Sequence, residues 1–300
     1  MREYSDPFDY VHATLAALHD SGAKLRAPRS TLQRLAETIA TAKRIGAGSA
    51  GDRVPIQQEP HSKPRLRETF SAEPASAPAL RELPPLERIA TASGSKAERM
   101  QSMRDPVLGC TKCPYLVKSR TQVVFGVGNP EAELMFVGEA PGEDEDKQGE
   151  PFVGRAGQLL TKIIETMGFG RDQVYIANVL KCRPDMPSGV SGNRKPLPAE
   201  MQTCLPYLRE QIEIIQPRAL VALGATALEG LTGQAIPVSR MRGRWSEFQG
   251  IPLMVTFHPA YLLRNQAITE KRKVWEDMLL VLEKLGHQVS ERQRGYFLRA

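Results

Sequence analysis

Four cysteines have the types and spacing to meet at one centre: Cys110 and Cys113 form a C-x-x-C pair, and Cys182 and Cys204 follow far downstream. Four thiolates hold a tetrahedral zinc or an iron–sulfur cluster, and spacing does not choose between the two. The bland alternatives are unrelated buried thiols, a common fate of free cysteine, and a redox pair at C-x-x-C. Cys113 is followed by Pro114 and basic residues rather than by a thioredoxin-like strand–helix context, and Cys182 sits in a Lys-Cys-Arg-Pro loop. Metal ligation is therefore the favoured reading.

Three further segments carry chemistry: GEAPGEDED (138–146), NVLKCRP (178–184) and VTFHP (255–259). Gly-Glu-x-Pro-Gly lets the backbone turn sharply against a ligand, and Glu139 can position water or accept from a bound base. Asp144, Glu145 and Asp146 add carboxylates, although an acidic surface loop or a cation site reads as well. Phe152, in GEPFVGRAG, can stack on a flat heterocycle or simply staple a helix start. Asn178 offers donor and acceptor together, which suits an imide edge; the alternative is a sheet-edge cap. His258 can donate to an oxygen on which negative charge develops, or be a lone satisfied histidine. Arg264, Lys271 and Arg272 suit phosphate contacts, or a solvated helix face.

These residues need elements to hold them. Apolar runs at 134–137, 174–180, 219–224 and 252–259 read as strands. Between and after them GRAGQLLTKIIETMGF, MQTCLPYLREQIEIIQP and TEKRKVWEDMLLVLEKLG read as helices. Short apolar strands alternating with helices predict an α/β fold: a three-layer α/β/α sandwich around a mainly parallel four-stranded sheet. Ligands in such sheets sit beyond the carboxyl ends of the strands. Glu139, Asn178, Gly224 and His258 all fall at or just after strand ends.

Upstream the texture differs. Residues 1–45 read as a helical segment. Residues 46–104 read as a low-complexity linker, rich in Pro, Ala, Ser and charge, with a short helix at 86–104; its bulk lacks the apolar surface to offset ordering entropy. The fold is thus expected over 105–286, with a partly disordered N-terminal extension and a tail at 287–300. The chain has 300 residues and a net charge of +6, which favours an acidic partner such as nucleic acid. Sparse cysteine and a start without a continuous apolar core speak for reduced thiols in the cytoplasm. No run approaches a membrane span, which needs about 18 apolar residues. A monomer is the default expectation.

The motifs G-E-A-P-G, P-F-V-G-R-A-G, N-V-L-K-C-R-P, N-R-K-P and H-P-A-Y, in that order and threaded by four cysteines, resemble the family 4, iron–sulfur, uracil-DNA glycosylases over roughly 105–286. The resemblance implies a [4Fe–4S] cluster on Cys110, Cys113, Cys182 and Cys204. It implies Glu139 and His258 as catalytic groups, with Glu145 as a second carboxylate ordering water. The substrate pocket it implies is built from Gly138, Ala140, Phe152, Asn178 and His258. The partners it implies are uracil-containing DNA, with uracil as product, and residues 1–100 are free to engage a repair or replication protein. The runner-up is a non-catalytic DNA-binding module with a four-cysteine metal site, and behind it stands a redox protein using the cluster.

Two departures stand out. DMPSGVSG between Pro184 and Asn193 is longer than the family's usual loop, and Ala140 puts a methyl where some relatives carry glycine. The stretch LKCRPDMPSGVSGNRKP has no histidine where a covalently trapping relative carries one, so turnover is expected.

Overall fold

The computed structural model describes residues 89–186, 190 and 192–298. The expected N-terminal helix, most of the linker and part of the DMPSGVSG loop lie outside them.

The first element is helix α1 (Lys96–Leu108), entered through a capping box in which Ser95 and Glu98 satisfy each other's backbone amides. It begins and ends later than the helix expected at 86–104. Met100, Met103 and Val107 on it are buried in the main core, so the folded unit starts upstream of 105. A short helix α2 (Pro114–Ser119) follows the C-x-x-C pair directly, with Cys113 as its N-cap.

The sheet has six strands, not four. They are β1 (Val127–Gly128), β2 (Leu134–Gly138), β3 (Tyr175–Asn178), β4 (Ala219–Leu223), β5 (Trp245–Phe248) and β6 (Ile251–Thr256), in the order β1-β3-β2-β4-β6-β5. The four inner strands are parallel and are the four read from the sequence; β1 and β5 are antiparallel additions at the two edges. Both faces are covered, which is why the inner strands read as unbroken apolar runs. Alternate residues go to opposite layers. Met135, Val137, Leu220 and Val255 pack with helix α5 (Pro198–Ile215) and helix α6 (Ala225–Thr232). Leu134, Phe136, Val221 and Met254 pack with α4 (Arg155–Met167) and α9 (Ile268–Leu285). The three-layer expectation holds.

Shorter helices shape the carboxyl rim: α3 (Glu143–Gln148) after β2, α7 (Val238–Met241) before β5, and α8 (Pro259–Arg264) after β6. The stretch expected to be a tail contains α10 (Glu291–Gly295). That helix is held against the domain by Trp275 Nε1 donating to Gln293 O at 2.6 Å and by Gln293 Nε2 donating to Thr166 O at 3.0 Å. No helix among the described residues is long and apolar enough to cross a membrane.

Candidate active site and cysteine cage

Parallel pairing puts Gly138 opposite Asn178 at the ends of β2 and β3. The ladder runs on into the loop: Val179 N donates to Gly138 O at 3.0 Å and Leu180 N donates to Glu139 O at 3.1 Å. Gly138 has to be glycine, because a Cβ there would collide with Asn178 Oδ1 and with the edge of the Phe152 ring. Gly138, Asn178 and Phe152 therefore converge on one point. Asn178 is 3 % exposed, and its side chain makes no hydrogen bond among the described residues. A buried amide with its donor and acceptor unspent is primed to read a ligand edge.

Phe152 is held in place at some cost. Its φ is +55°, a left-handed conformation unusual for a bulky residue. Gly157, in the first turn of α4, makes this possible by lying against the Phe152 carbonyl, where any Cβ would overlap it. Arg171 clasps the same loop, donating to Pro151 O and to Thr161 Oγ1.

Glu145 fastens the loop to the one after β2. Its Oε1 accepts from Val153 N and Gly154 N, both at 2.9 Å, and its Oε2 accepts from Gly142 N at 3.0 Å. Both oxygens thus accept from backbone amides, which makes Glu145 the peg of two loops.

His258 lies two residues past the end of β6 and caps α8. Its ring lies 5.6 Å from the Phe152 ring, tilted by 31°. Nδ1 accepts from Ala260 N at 3.1 Å, so in the neutral ring the proton sits on Nε2. Burial, aided by the Arg264 charge, pushes its pKa down to about 4. Gly224, at φ +96°, brings the end of β4 against His258, with a built Cβ only 3.1 Å from the His258 Cβ.

Glu139 is half-buried, and burial raises its pKa. Thr226, which hydrogen-bonds the carboxyl, and the nearby Lys195 charge pull the other way, while Glu229 adds to the rise. Lys195 itself pairs with Glu229 at 2.5 Å. Thr226, Lys195 and Glu229 were missed in the sequence. Only G-A-T at the end of β4 signalled Thr226, and Lys195 lay unremarked inside N-R-K-P. Ala140 packs on the main core at half-burial.

The basic residues divide. Arg264 is exposed and close enough for its charge to act on His258. Arg272 is engaged elsewhere, with Glu276 Oε1 at 2.9 Å and the carbonyls of Arg294 and Tyr296 at 2.8 Å each, and so pins the C-terminal segment. Lys271 is half-buried on α9.

Cys110, Cys113, Cys182 and Cys204 line one cavity, together with Arg120, Lys181 and Tyr207. None is in a disulfide. Arg120 Nη1 donates to Cys182 Sγ at 3.0 Å, Lys181 N to Cys204 Sγ at 3.2 Å, and Tyr207 Oη to Cys110 Sγ at 3.3 Å. Among the described residues no three His, Cys, Asp or Glu side chains close on a common metal position. The cysteines share a chamber but do not converge on a point. The donor set nonetheless fits a metal, since all its ligands are soft sulfurs and three of them already accept the hydrogen bonds that favour thiolate. Burial, with the neighbouring thiols adding to it, raises the pKa of Cys113, Cys182 and Cys204, the last to about 12, and a bound cation reverses that shift.

A profile of the Uracil DNA glycosylase superfamily matches residues 125–279. The chain belongs to this superfamily. It is 46 % identical over 186 residues to a type-4 uracil-DNA glycosylase of Thermotoga maritima, an alignment spanning 61 % of this chain and 93 % of that protein. It is 39 % identical over 210 residues to the type-4 enzyme of Sulfurisphaera tokodaii, covering 67 % and 91 %. A type-5 uracil-DNA glycosylase of Pyrobaculum aerophilum is more distant, at 28 % over 191 residues, covering 53 % and 81 %. In this superfamily member the matched region begins at the strap before β1 and ends within α9, so it contains Glu139, Phe152, Asn178 and His258 while the C-x-x-C pair lies just upstream.

Proposed function

We propose that this chain is a DNA-repair glycosylase that hydrolyses the N-glycosidic bond of uracil in DNA, releasing uracil and leaving an abasic site. The observation that carries the reading is the convergence of Gly138, Phe152 and Asn178 at the strand ends beside His258. Release of free uracil from a single-stranded uracil-containing oligonucleotide tests it; DNA binding without release returns the chain to the non-catalytic module.

A base inside a duplex is out of reach, so the nucleotide acted on is rotated out of the stack at a cost of a few kcal/mol. Phe152 gives the base a face to stack on. Asn178 takes the imide edge, donating to the carbonyl and accepting from N3–H, and cytosine lacks that N–H. As the glycosidic bond breaks, negative charge gathers on the uracil ring and positive charge on the sugar. His258 Nε2–H donates to the developing oxyanion, and a neutral imidazole loses less by sharing its proton than an imidazolium pays in burial. Glu139, ionised, orients water toward the sugar and stabilises its charge.

The four cysteines are proposed to hold a [4Fe–4S] cluster. When bound, it supplies a rigid cross-link between the N-terminal strap, the loop after β3 and α5, with hydrolysis left to the side chains named above.

Two results follow from the geometry. Gly138→Ala pushes a methyl between Asn178 and Phe152 and is expected to lower kcat/KM about a hundredfold, the scale of a misplacement of about 1 Å, with cluster absorbance unchanged. Steady-state kinetics beside a visible spectrum check it. The second concerns pH. His258 has a folded pKa below its free value, so the unfolded chain takes up its proton first. Its contribution to stability is complete above about 6.5 and drains away as pH falls toward 4. At pH 6 the ring is expected to be neutral, protonated on Nε2. Nitrogen NMR of labelled protein reads this directly, and an imidazolium at pH 6 contradicts the assigned role. The acid limb of the rate profile then belongs to Glu139, at a pKa above the ordinary glutamate range.

A further inference from the structure

Asp146 is 2 % exposed, and no step above uses it. Both its oxygens accept from Thr121 N, at 3.0 and 2.9 Å. Thr121 follows Arg120, whose guanidinium donates to Cys182 Sγ and, at 2.6 Å, to Cys110 O. On one side, then, Asp146 grips the end of the segment that carries the C-x-x-C pair. On the other side it neighbours Glu145 on α3, the peg that holds Val153 and Gly154 beside Phe152. Its charge also faces Cys182.

We infer that Asp146 is a positioning residue that couples the cysteine cage to the Phe152 loop, so that the cage fixes the register of the uracil pocket through α3. This rests on the glycosylase reading. The physical argument is one of rigidity. α3 has only six residues, and its glycine N-cap has no side chain to bond the first turn, only the Glu145 carboxylate reaching back to Gly142 N, so its own hydrogen bonds are few. The buried Asp146 carboxylate, holding the Thr121 N–H between its two oxygens, adds a tether from outside the helix, and a bond to an ionised acceptor is roughly twice as strong as a neutral one. Freed from Thr121, α3 can rock, and Glu145 carries Val153, Gly154 and the strained Phe152 with it. Stacking on the base is made in ground and transition state alike, so its loss raises KM and leaves kcat nearly alone.

The test uses the full chain with its cluster loaded, and wild-type release of uracil is the control on which the underlying reading stands or falls. Asp146→Ala is expected to raise both KM for a uracil-containing oligonucleotide and the inhibition constant of free uracil about tenfold, the lower end of the effect of supporting residues around a metal site. Expected alongside are kcat within about threefold and unchanged visible absorbance per chain. Asp146→Asn keeps a neutral acceptor for Thr121 N and is expected to recover part of both losses, leaving each constant between those of Asp146→Ala and the wild type. Unchanged KM and uracil inhibition in Asp146→Ala, a defect confined to kcat, or loss of absorbance in step with activity each overturns the inference. Where Asp146→Ala does not fold, Thr121→Pro decides by the same readouts. It removes the donor from an exposed position, and Arg120, at ψ 148°, already has the extended conformation a following proline needs.

Discussion

Replacing His258 with alanine is expected to slow single-turnover uracil release by about 10²–10³-fold while the affinity for uracil-free DNA stays within about twofold. The magnitude is that of one preorganised donor to a developing oxyanion, about 2.7–4 kcal/mol. The geometry gives the donor its identity. Nδ1 is occupied by Ala260 N, leaving Nε2 as the one ring nitrogen with a proton to offer. The same bond makes His258 the N-cap of α8, so alanine also loses a cap, which costs about 1 kcal/mol of stability. His258→Asn separates the two effects. Asparagine is a good N-cap, so this variant is expected to recover the melting temperature without recovering the rate. Equal losses in rate and DNA affinity would remove His258 from the chemistry.

Cys182→Ser is expected to empty the cage and soften the domain. Cys182 is buried, accepts from Arg120, and lies four residues beyond Asn178 on the same strand exit. Apparent metal-binding energies in small cysteine sites run to about 10–16 kcal/mol. If about 4 kcal/mol of that reports on global unfolding, the melting temperature falls by about 8–16 °C for a domain of this size. Anaerobic purification, visible spectra near ~400 nm and thermal melts check it. Activity per remaining loaded chain is expected to match the wild type, and a fully loaded, stable and inactive protein would give the cage a part in the chemistry. A colourless wild-type chain containing zinc would keep the cross-link and replace the metal.

The inner half of the fold was legible because it is monotonous: LMFVG, YIAN, ALVAL and IPLMVT have no polar face, which only a doubly covered parallel strand tolerates. The edges were not. β1 is two residues, one of them glycine, and β5 is WSEF, apolar only at its two ends and partly exposed; neither carries a strand-like local pattern. At the site, Gly138, Asn178 and His258 could be picked out because each sits at or just after a strand end, and Phe152 because it is an aromatic in a glycine-flanked loop before a helix. The anchoring part of Glu145 was hidden, because an acid in an acidic run looks solvated until the loop at 152–154 folds over it and supplies two amides, with Gly142 N the third. The partners of Arg272 were hidden for the same reason: a basic helix face gives no hint that Tyr296 and Arg294 will return to it.

The cage draws its walls from both ends of the domain's first half. Cys110 and Cys113 precede every strand, whereas Cys204 waits on α5, beyond β3. During synthesis the domain grows from its amino end, so the strap bearing the first pair emerges long before its counterpart exists. A nascent chain can therefore form β2, α4 and β3, and dock Asn178 against Gly138, while its thiols remain open to oxidation or to stray metals. Closure of the cage is then a late event, timed by the emergence of α5, because the four thiols can meet only once the chain through Cys204 has been made.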